Sequence, residues 1–475
     1  MVFSSAIFLF VFFLIFFGVH YLLPRRPRNV WILLCSLLFI AWGSMESLYT
    51  MLASITINYL GGMMLHFSGD RRGWRRASLV LSVFLNLALL FYYKYFNFFM
   101  TTVNSALGTD YAWQTVILPI GISFFTFQGM SYVIDVYRKE AAVQKNPVYL
   151  ALYVSMFPQL IAGPIVRYTD IEANIHQRTI TLDDVFSGLK RFIAGLAKKV
   201  LLANTMGEVS ANIMAAVGTI DVPTAWLGAL CYMMQIYLDF SAYSDMAIGL
   251  GKMMGFRFME NFNLPYISKS VTEFWRRWHI SLSSWFRDYL YIPLGGNRTG
   301  NVYVNLFIVF LCTGVWHGAS WNFIVWGMWN GLFLIIERLL RKNKKKDQNG
   351  GSVLKKALGW AYTMVVVYLG WVLFNATDMT QALNNLRCMF GLDQPDFVGF
   401  SAGYFCNTYH TFILLVSILV SLGLPQKLYK RLTSNGKVYS VCQYGIEPLC
   451  LLALLVLSIV WIINGTYNPF IYFQF

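Results

Sequence analysis

The chain has 475 residues, of which 57% are hydrophobic and only 12% are charged. Soluble domains carry about 25% charged residues, so the composition excludes a soluble globular protein. The formal net charge is +15. Because the basic residues stand in short clusters between apolar runs and no nucleic-acid-binding motif is present, the charge indicates cytoplasmic loops of a membrane protein, and no nucleic-acid partner is expected.

Apolar stretches long enough to cross a bilayer follow one another along the chain, since a spanning helix needs about 20 apolar residues. The N-terminal stretch has neither a basic start nor a small-residue cleavage site, so it predicts a retained membrane helix. Stretches 185–217 and 268–293 mix polar and apolar residues and are predicted to be interfacial, tilted or re-entrant. The clear spans are 3–23, 78–100, 115–137, 147–166, 222–250, 302–340, 357–375 and 447–464, with shorter or broken ones at 29–43, 47–66 and 411–424.

Basic clusters alternate with loops that are poor in Lys and Arg at both ends of the chain. Loop 101–114 holds no basic residue, and loop 376–410 holds only one. Both loops are therefore predicted to lie outside the cell. Both termini, including Phe475, are then predicted to be extracytoplasmic. The clusters predicted to be cytoplasmic are 25–28, 71–76, 138–145, 341–346 and 427–437.

A histidine stands inside the long apolar stretch 302–340. His317 is flanked by the small residues Gly314 and Gly318, which allow another backbone or a substrate to come close. Ionisable groups inside a membrane are costly and usually functional, and histidine exchanges protons near neutral pH. His317 is therefore a candidate catalytic base, or else a packing residue bonded to a carbonyl.

A second polar stretch, 273–288, alternates tryptophans with cations. Trp278 stands between Arg277 and His279, and Arg276 and Ser281 are close by. Such a stretch suits an interfacial helix or a helix beside a wet cavity. Its cations could hold phosphates or a carboxylate of a substrate, or they could anchor the protein to lipid phosphates.

A third polar stripe lies within 222–250. Gln235, Asp239, Tyr243 and Asp245 recur at spacings that crowd one face of a helix. The stripe predicts either the lining of a pore or tunnel, or a buried hydrogen-bond network that fixes helix packing.

Several long motifs occur together in one chain, and as a set they closely resemble the membrane-bound O-acyltransferase (MBOAT) family in its alginate O-acetyltransferase branch. The resemblance covers residues 1–340 well, whereas the remainder matches only as hydrophobic helices. The motifs are PIGISFFTFQ from Pro119, FPQLIAGPIVR from Phe157, QIYLDFSAYSDMAIG from Gln235, NFNLPY from Asn261, FWRRWHISLSSWFRDYLYIPLGGNR from Phe274 and TGVWHGASWNFIVWG from Thr313.

The resemblance implies an all-α polytopic membrane protein. It would be a ring of about 11 tilted transmembrane helices, with re-entrant or interfacial helices, around a central tunnel. We expect one domain over 1–475, divided into N-terminal helices (1–137), a catalytic core (138–340), a cytoplasmic loop (341–356) and C-terminal helices (357–475).

By the same resemblance, His317 corresponds to the family's catalytic histidine and His279 to its second motif position. No metal site and no bound cofactor are expected. The residues that we expect to bind substrate are Asn322, Trp278, Ser281, Arg276, Arg277, Gln235, Asp239, Tyr243 and Asp245.

The implied activity is transfer of an acetyl group from a cytoplasmic thioester, acetyl-CoA or another acyl thioester, to an extracytoplasmic polysaccharide. The acceptor would be reached directly or through a separate SGNH-type acetyltransferase, in the inner membrane of a bacterium. Two alternatives stay open: D-alanyl transfer to teichoic acid from a carrier protein, and a lipid or glycan transporter in which Asp135, Asp239 and Asp245 couple transport.

Overall fold

The computed structural model describes residues 1–342, 352–393, 395, 397–434, 436–465 and 470–471. Within these ranges the chain is helical and has no strand, only an isolated bridge between Ile220 and Phe400. The predicted all-α class is therefore confirmed. Most of the predicted loop 341–356, and the predicted position of Phe475, lie outside the described residues.

The helices follow closely on one another. Within the described ranges, π-helical turns lie inside or directly beside five of these helices, at Phe8–Phe12, Phe91–Tyr95, Lys198–Ala203, Arg287–Tyr291 and Cys442–Ile446. Up to residue 253 the helices are Phe8–Leu22, Arg25–Gly43, Met45–Phe67, Arg72–Leu107, Ile122–Arg138, Pro147–Ser155, Phe157–Leu160, Tyr168–His176, Leu182–Ala197, Asn204–Ala215 and Val222–Met253. After it they are Pro265–Ile267, Val271–Arg277, Ile280–Phe286, Val302–His317, Trp321–Lys342, Val353–Asn375, Met379–Met389, Ala402–Phe405, Thr408–Ser421, Leu424–Leu432, Gly436–Val441 and Glu447–Asn464.

Several helices are apolar and long enough to span a bilayer, as a multi-pass membrane protein requires. In the described ranges five helices meet that test, and a pair bent by 64°, Thr408–Ser421 with Leu424–Leu432, would make a sixth. Phe8–Leu22 and Val302–His317 are apolar but shorter. The number of about 11 spans stays a prediction.

One predicted span, 302–340, is wrong as a single helix. The first helix ends at His317, because Gly318 adopts an extended backbone with φ −163° and ψ 158°. The second begins at Trp321. The chain therefore breaks next to the candidate histidine.

Two more predicted spans, 115–137 and 147–166, are too long. In the first, Gly121 has φ 76° and the helix begins only at Ile122. In the second, Met156 leaves the helical region with ψ 113°, and no helix continues past Leu160. Proline and glycine interrupt both segments, since neither residue supports a continuous helix.

The chain divides into two compact units, Met1–Phe192 with Ser244–Met259, and Ile193–Tyr243 with Glu260–Phe475. The first unit has a core of closely packed phenylalanines. The rings of Phe8, Phe12, Phe39 and Phe157 lie 5.3–6.5 Å apart, within the range of favourable aromatic pairs. The second unit contains both candidate histidines.

Two helices of the second unit, Val302–His317 and Trp321–Lys342, pack through glycines. A Cβ on Gly314 would lie 2.4 Å from the carbonyl oxygen of Phe323 and 3.2 Å from Cα of Gly327. Small residues at such a contact let two backbones approach closely. This close packing fixes the end of the first helix, and with it His317.

Candidate active site

His317 is the last residue of its helix and is 4% exposed. Three aromatic rings surround its imidazole, with centroid distances of 4.9 Å to Trp316, 5.0 Å to Trp326 and 5.0 Å to Phe374. The ring is thus held at a helix end, inside an aromatic box built from three helices.

His279 lies between two short helices and is 1% exposed. Its backbone is left-handed, with φ 43° and ψ 55°, a conformation that is uncommon for residues other than glycine. The backbone N–H of Ile280 donates to the carbonyl of Asn261 at 2.9 Å, which ties this turn to the segment before it.

Asn261 determines which nitrogen of His279 carries the proton. Its Oδ1 lies 3.1 Å from Nδ1 of His279 and accepts from the backbone N–H of Ser281 at 3.2 Å and from the Ser281 hydroxyl at 2.8 Å. A backbone N–H can only donate, so this atom of Asn261 is the acceptor, and Nδ1 of His279 must donate to it.

The other nitrogen of His279 then carries a lone pair. Its Nε2 is buried and has no hydrogen-bond partner within the described part of the chain. Burial lowers the pKa of His279 to about 3, so that the ring is neutral at physiological pH. A neutral imidazole in this tautomer presents a hydrogen-bond acceptor at Nε2.

The two histidines, 38 residues apart in sequence, both lie close to one indole. The ring of Trp316 lies 6.0 Å from that of His279 and 4.9 Å from that of His317. The ring of Phe240 also packs against His279, with a centroid distance of 4.6 Å. The structure therefore brings the two predicted catalytic residues into one buried cluster.

Of the residues expected to bind substrate, Trp278, Ser281 and Asn322 belong to this cluster or its immediate support. The ring of Trp278 packs 4.8 Å from Trp371. The amide nitrogen of Asn322 donates to the carbonyls of Leu373 at 3.2 Å and Ala376 at 2.7 Å. Asn322 therefore fixes a neighbouring helix end, and its N–H groups are used in doing so.

The two arginines have different surroundings. Arg277 forms an ion pair with Glu273 at 2.9 Å and donates to the carbonyl of Asn263 at 3.1 Å. Arg276 is exposed and lines a groove of about 970 Å³ together with Arg338 and Tyr303. Neither Arg276 nor Arg338 is ion-paired within the described ranges.

The predicted polar stripe forms internal contacts. Asp239 is fully buried, pairs with Lys199 at 2.8 Å and accepts from the backbone N–H of Ile471 at 3.0 Å. The ring of Tyr243 packs 4.7 Å from that of Phe470. These contacts favour the packing alternative for this part of the stripe, and substrate binding by it stays a prediction.

The two remaining stripe residues also have local partners. Asp245 accepts from Arg191 at 2.9 and 3.0 Å. Gln235 packs against Gly207, where a Cβ would lie 2.5 Å from its Nε2. The ion pair of Asp245 with Arg191 favours the packing alternative for this residue.

Sequence reasoning missed Asn261, Trp316, Trp326 and Phe374 as parts of the site. Asn261 was visible only as the first residue of the NFNLPY motif, and Trp316 only as the neighbour of His317. No spacing rule connects Asn261 with His279, because their contact depends on a turn that only the structure shows.

Comparison with known proteins identifies the family. The family model of MBOAT, the membrane-bound O-acyltransferase family, matches residues 73–375. "Probable alginate O-acetylase AlgI" of Pseudomonas putida is 40% identical, with 100% of both chains covered. The protein of the same name from Pseudomonas aeruginosa is 42% identical over 90% of this chain and 82% of its own.

"Peptidoglycan O-acetyltransferase" of Helicobacter pylori is 34% identical, over 83% of this chain and 80% of its own. The family match spans more than half of the chain and includes both histidines of the buried cluster. The chain therefore belongs to the membrane-bound O-acyltransferase family, and it is an O-acyltransferase.

Proposed function

We propose that the protein transfers an acetyl group from a cytoplasmic thioester, acetyl-CoA, to a hydroxyl of an extracytoplasmic polysaccharide in the inner membrane of a bacterium. The names of the relatives, alginate O-acetylase and peptidoglycan O-acetyltransferase, support acetyl as the group and a polysaccharide as the acceptor. The observation that carries the proposal is the pair of buried imidazoles whose ring centroids lie 6.0 and 4.9 Å from that of Trp316.

His317 is the general base in this proposal. Its imidazole removes the proton from the acceptor hydroxyl, and the oxygen attacks the carbonyl carbon of the thioester. The C–S bond then breaks, and the imidazolium returns the proton to the leaving thiolate, which gives an ester and free coenzyme A. The aromatic box excludes water, and this exclusion limits hydrolysis of the thioester.

His279 orients the acceptor. Because Asn261 holds the proton on Nδ1, Nε2 can accept a hydrogen bond from a hydroxyl but cannot donate one to an oxyanion. The amide nitrogen of Asn322 is committed to two carbonyls. Neither residue therefore fits an oxyanion-stabilising role.

The groove beside Arg276 and Arg338 holds the anionic part of the donor. Coenzyme A carries phosphates, and guanidinium groups bind phosphates through paired hydrogen bonds. Glu337, which stands beside Arg338 in sequence, is occupied by the backbone N–H and hydroxyl of Thr272 at 3.0 and 2.6 Å. Its carboxylate is therefore turned to the helix at Val271–Arg277 and leaves both arginines to the ligand.

The acceptor is either the polysaccharide itself or the hydroxyl of a separate extracytoplasmic SGNH-type acetyltransferase that passes the group on. Both acceptors present a hydroxyl to the same two imidazoles.

The test uses purified protein in detergent or nanodiscs with labelled acetyl-CoA and alginate oligosaccharides. Thiol release and labelled ester are measured for wild type, His317→Ala and His279→Ala, with the exposed His66→Ala as the matched control. We expect both site variants to lose at least 100-fold of transfer, on the order of what general bases contribute, and the control to keep it. Equal transfer in all four proteins would refute the proposal, and transfer only from a D-alanyl carrier protein would favour the teichoic acid alternative.

A further inference from the structure

The helix Val271–Arg277 leads directly into His279 and has only seven residues. Isolated helices of this length are marginal, because the first turn must be fixed before further hydrogen bonds can form. The turn at His279 is left-handed, with φ 43°, and this conformation costs free energy in a residue that has a Cβ. The position of His279 therefore depends on contacts that hold the short helix from outside.

Side chains satisfy the first three backbone N–H groups of this helix. Glu337 accepts from the N–H of Val271 and, at 3.0 Å, from that of Thr272. Ser270 accepts from the N–H of Glu273 at 3.0 Å. These groups have no partner within the helix itself, and a carboxylate at this end also interacts favourably with the helix dipole. Glu337, which is 7% exposed, therefore provides two of the three bonds at the start of the helix.

The other end of the short helix is bound to the segment that also holds the ring of His279. The carbonyl of Arg277 accepts from the backbone N–H of Asn263 at 2.9 Å. Two residues earlier, Oδ1 of Asn261 lies 3.1 Å from Nδ1 of His279. This segment and the N-terminal contact thus hold opposite ends of a helix about 10 Å long.

Glu337 shares one helix face with two other residues that contact the site. Trp326, Asn330 and Glu337 follow one another at spacings of four and seven residues, so they lie on the same side of their helix. Oδ1 of Asn330 accepts from the indole N–H of Trp275 at 3.3 Å. The ring of Trp326 lies 5.0 Å from that of His317. One helix face therefore contacts both His317 and the short helix.

We infer that Glu337 is a positioning residue that fixes the imidazole of His279 relative to that of His317. It acts through the helix Val271–Arg277 and takes no part in proton transfer. The consequence for catalysis rests on the proposed function, in which His279 orients the acceptor hydroxyl. A carboxylate offers two acceptor oxygens to the helix, whereas an amide offers one oxygen and an NH₂ group that can only donate. Glu337→Gln therefore keeps part of the contact, and Glu337→Leu keeps none of it.

The first test measures the position of His279 without using activity. Diethyl pyrocarbonate modifies accessible neutral imidazoles, and the rate of modification at His279 is followed by mass spectrometry of the purified protein in detergent. Wild type, Glu337→Leu and Glu337→Gln are compared with Glu208→Leu, which replaces an exposed carboxylate of the same unit. His20, fully buried in the first unit, shows in the same molecules whether the whole fold has loosened.

We expect His279 to react about tenfold faster in Glu337→Leu, because the loss of a buried hydrogen bond shifts local opening by about that factor. The rate in Glu337→Gln should lie between those of Glu337→Leu and wild type. His20 should stay protected in every protein, and Glu208→Leu should keep the wild-type rate at His279. An unchanged rate at His279 in Glu337→Leu would overturn the inference. Equal acceleration at His279 and His20 would also overturn it, since Glu337 would then support the fold as a whole.

The second test measures the effect of the displaced ring on acetyl transfer. With labelled acetyl-CoA and alginate oligosaccharides, the measured quantity is the ratio of acetylated oligosaccharide to free acetate, which does not depend on the folded fraction. We expect this ratio to fall about tenfold in Glu337→Leu, because a sugar hydroxyl must be oriented more strictly than water. Glu337→Gln should restore part of the ratio. A wild-type ratio in Glu337→Leu would contradict the positioning role, whereas full transfer by His317→Ala would refute the proposed function instead.

Discussion

Replacing Asn261 by leucine should inactivate His279 without removing it. The substitution keeps the size of the side chain and deletes its Oδ1. This oxygen accepts three hydrogen bonds: from His279 Nδ1 at 3.1 Å, from the Ser281 hydroxyl at 2.8 Å and from the Ser281 backbone N–H at 3.2 Å. The neutral ring can then move its proton to Nε2, and that tautomer can no longer accept from a substrate hydroxyl.

The magnitude follows from the lost hydrogen bond. One such bond is worth about 0.5–1.5 kcal/mol net, and an unpaired buried donor costs about 1–3 kcal/mol. Each 1.36 kcal/mol in the activation barrier changes the rate about tenfold. We therefore expect the kcat of Asn261→Leu to fall about 10- to 100-fold, and its unfolding free energy to drop by about 2–4 kcal/mol from the two stranded Ser281 donors.

The assay is labelled acetyl transfer as a function of pH, with thermal unfolding in detergent measured alongside. Asn263→Leu is the matched control, because that amide is exposed and its side chain forms no hydrogen bond within the described ranges. Asn261→Asp keeps the acceptor but adds a negative charge, which raises the pKa of His279. Its activity should therefore be poor at acidic pH and recover as the pH rises. A folded Asn261→Leu protein with the wild-type rate would refute the tautomer argument.

Three other changes test separate parts of the structure. Lys199→Met leaves Asp239 as a buried unpaired charge and should lower the unfolding free energy by about 3–5 kcal/mol. Introducing Asp239→Asn into the Lys199→Met protein should restore part of its melting temperature. An unchanged melting temperature in the double variant would contradict the pairing. Gly314→Ala places a Cβ 2.4 Å from a facing carbonyl oxygen and should abolish the folded, monodisperse peak in size-exclusion chromatography. The control Gly18→Ala, which has open space around it, should keep that peak. Arg338→Ala should raise the KM for acetyl-CoA about tenfold with kcat unchanged; an unchanged KM would place the donor phosphates elsewhere.

The sequence predicted the features that depend on composition and local pattern. The apolar runs gave the all-α membrane class, and His279 and His317 stood out because ionisable groups are rare in such surroundings. The break at Gly318 was not predicted, because hydropathy averages over a window that a three-residue gap hardly changes. The helix interruption near Gly121 is predicted by Pro119 and Gly121 themselves, although the predicted span 115–137 runs across it.

Partners that are distant in sequence could not be predicted. The bond between Asn261 and His279 spans 18 residues and depends on a left-handed backbone at the histidine. The ion pair of Asp239 with Lys199 depends on the packing of two helices. A polar stripe looks the same in sequence whether it faces a tunnel or a counter-ion, so only the structure favours the second alternative for Asp239.

The two helices on either side of the predicted 341–356 connection are bound to each other by their own side chains. Asn322 donates to the carbonyls of Leu373 and Ala376, and the indole N–H of Trp329 donates to the carbonyl of Val366 at 3.0 Å. Their association therefore does not depend on covalent continuity. A gene cut between the codons for residues 342 and 352 should yield two polypeptides that co-purify, and this split would allow each half to carry its own label for spectroscopy.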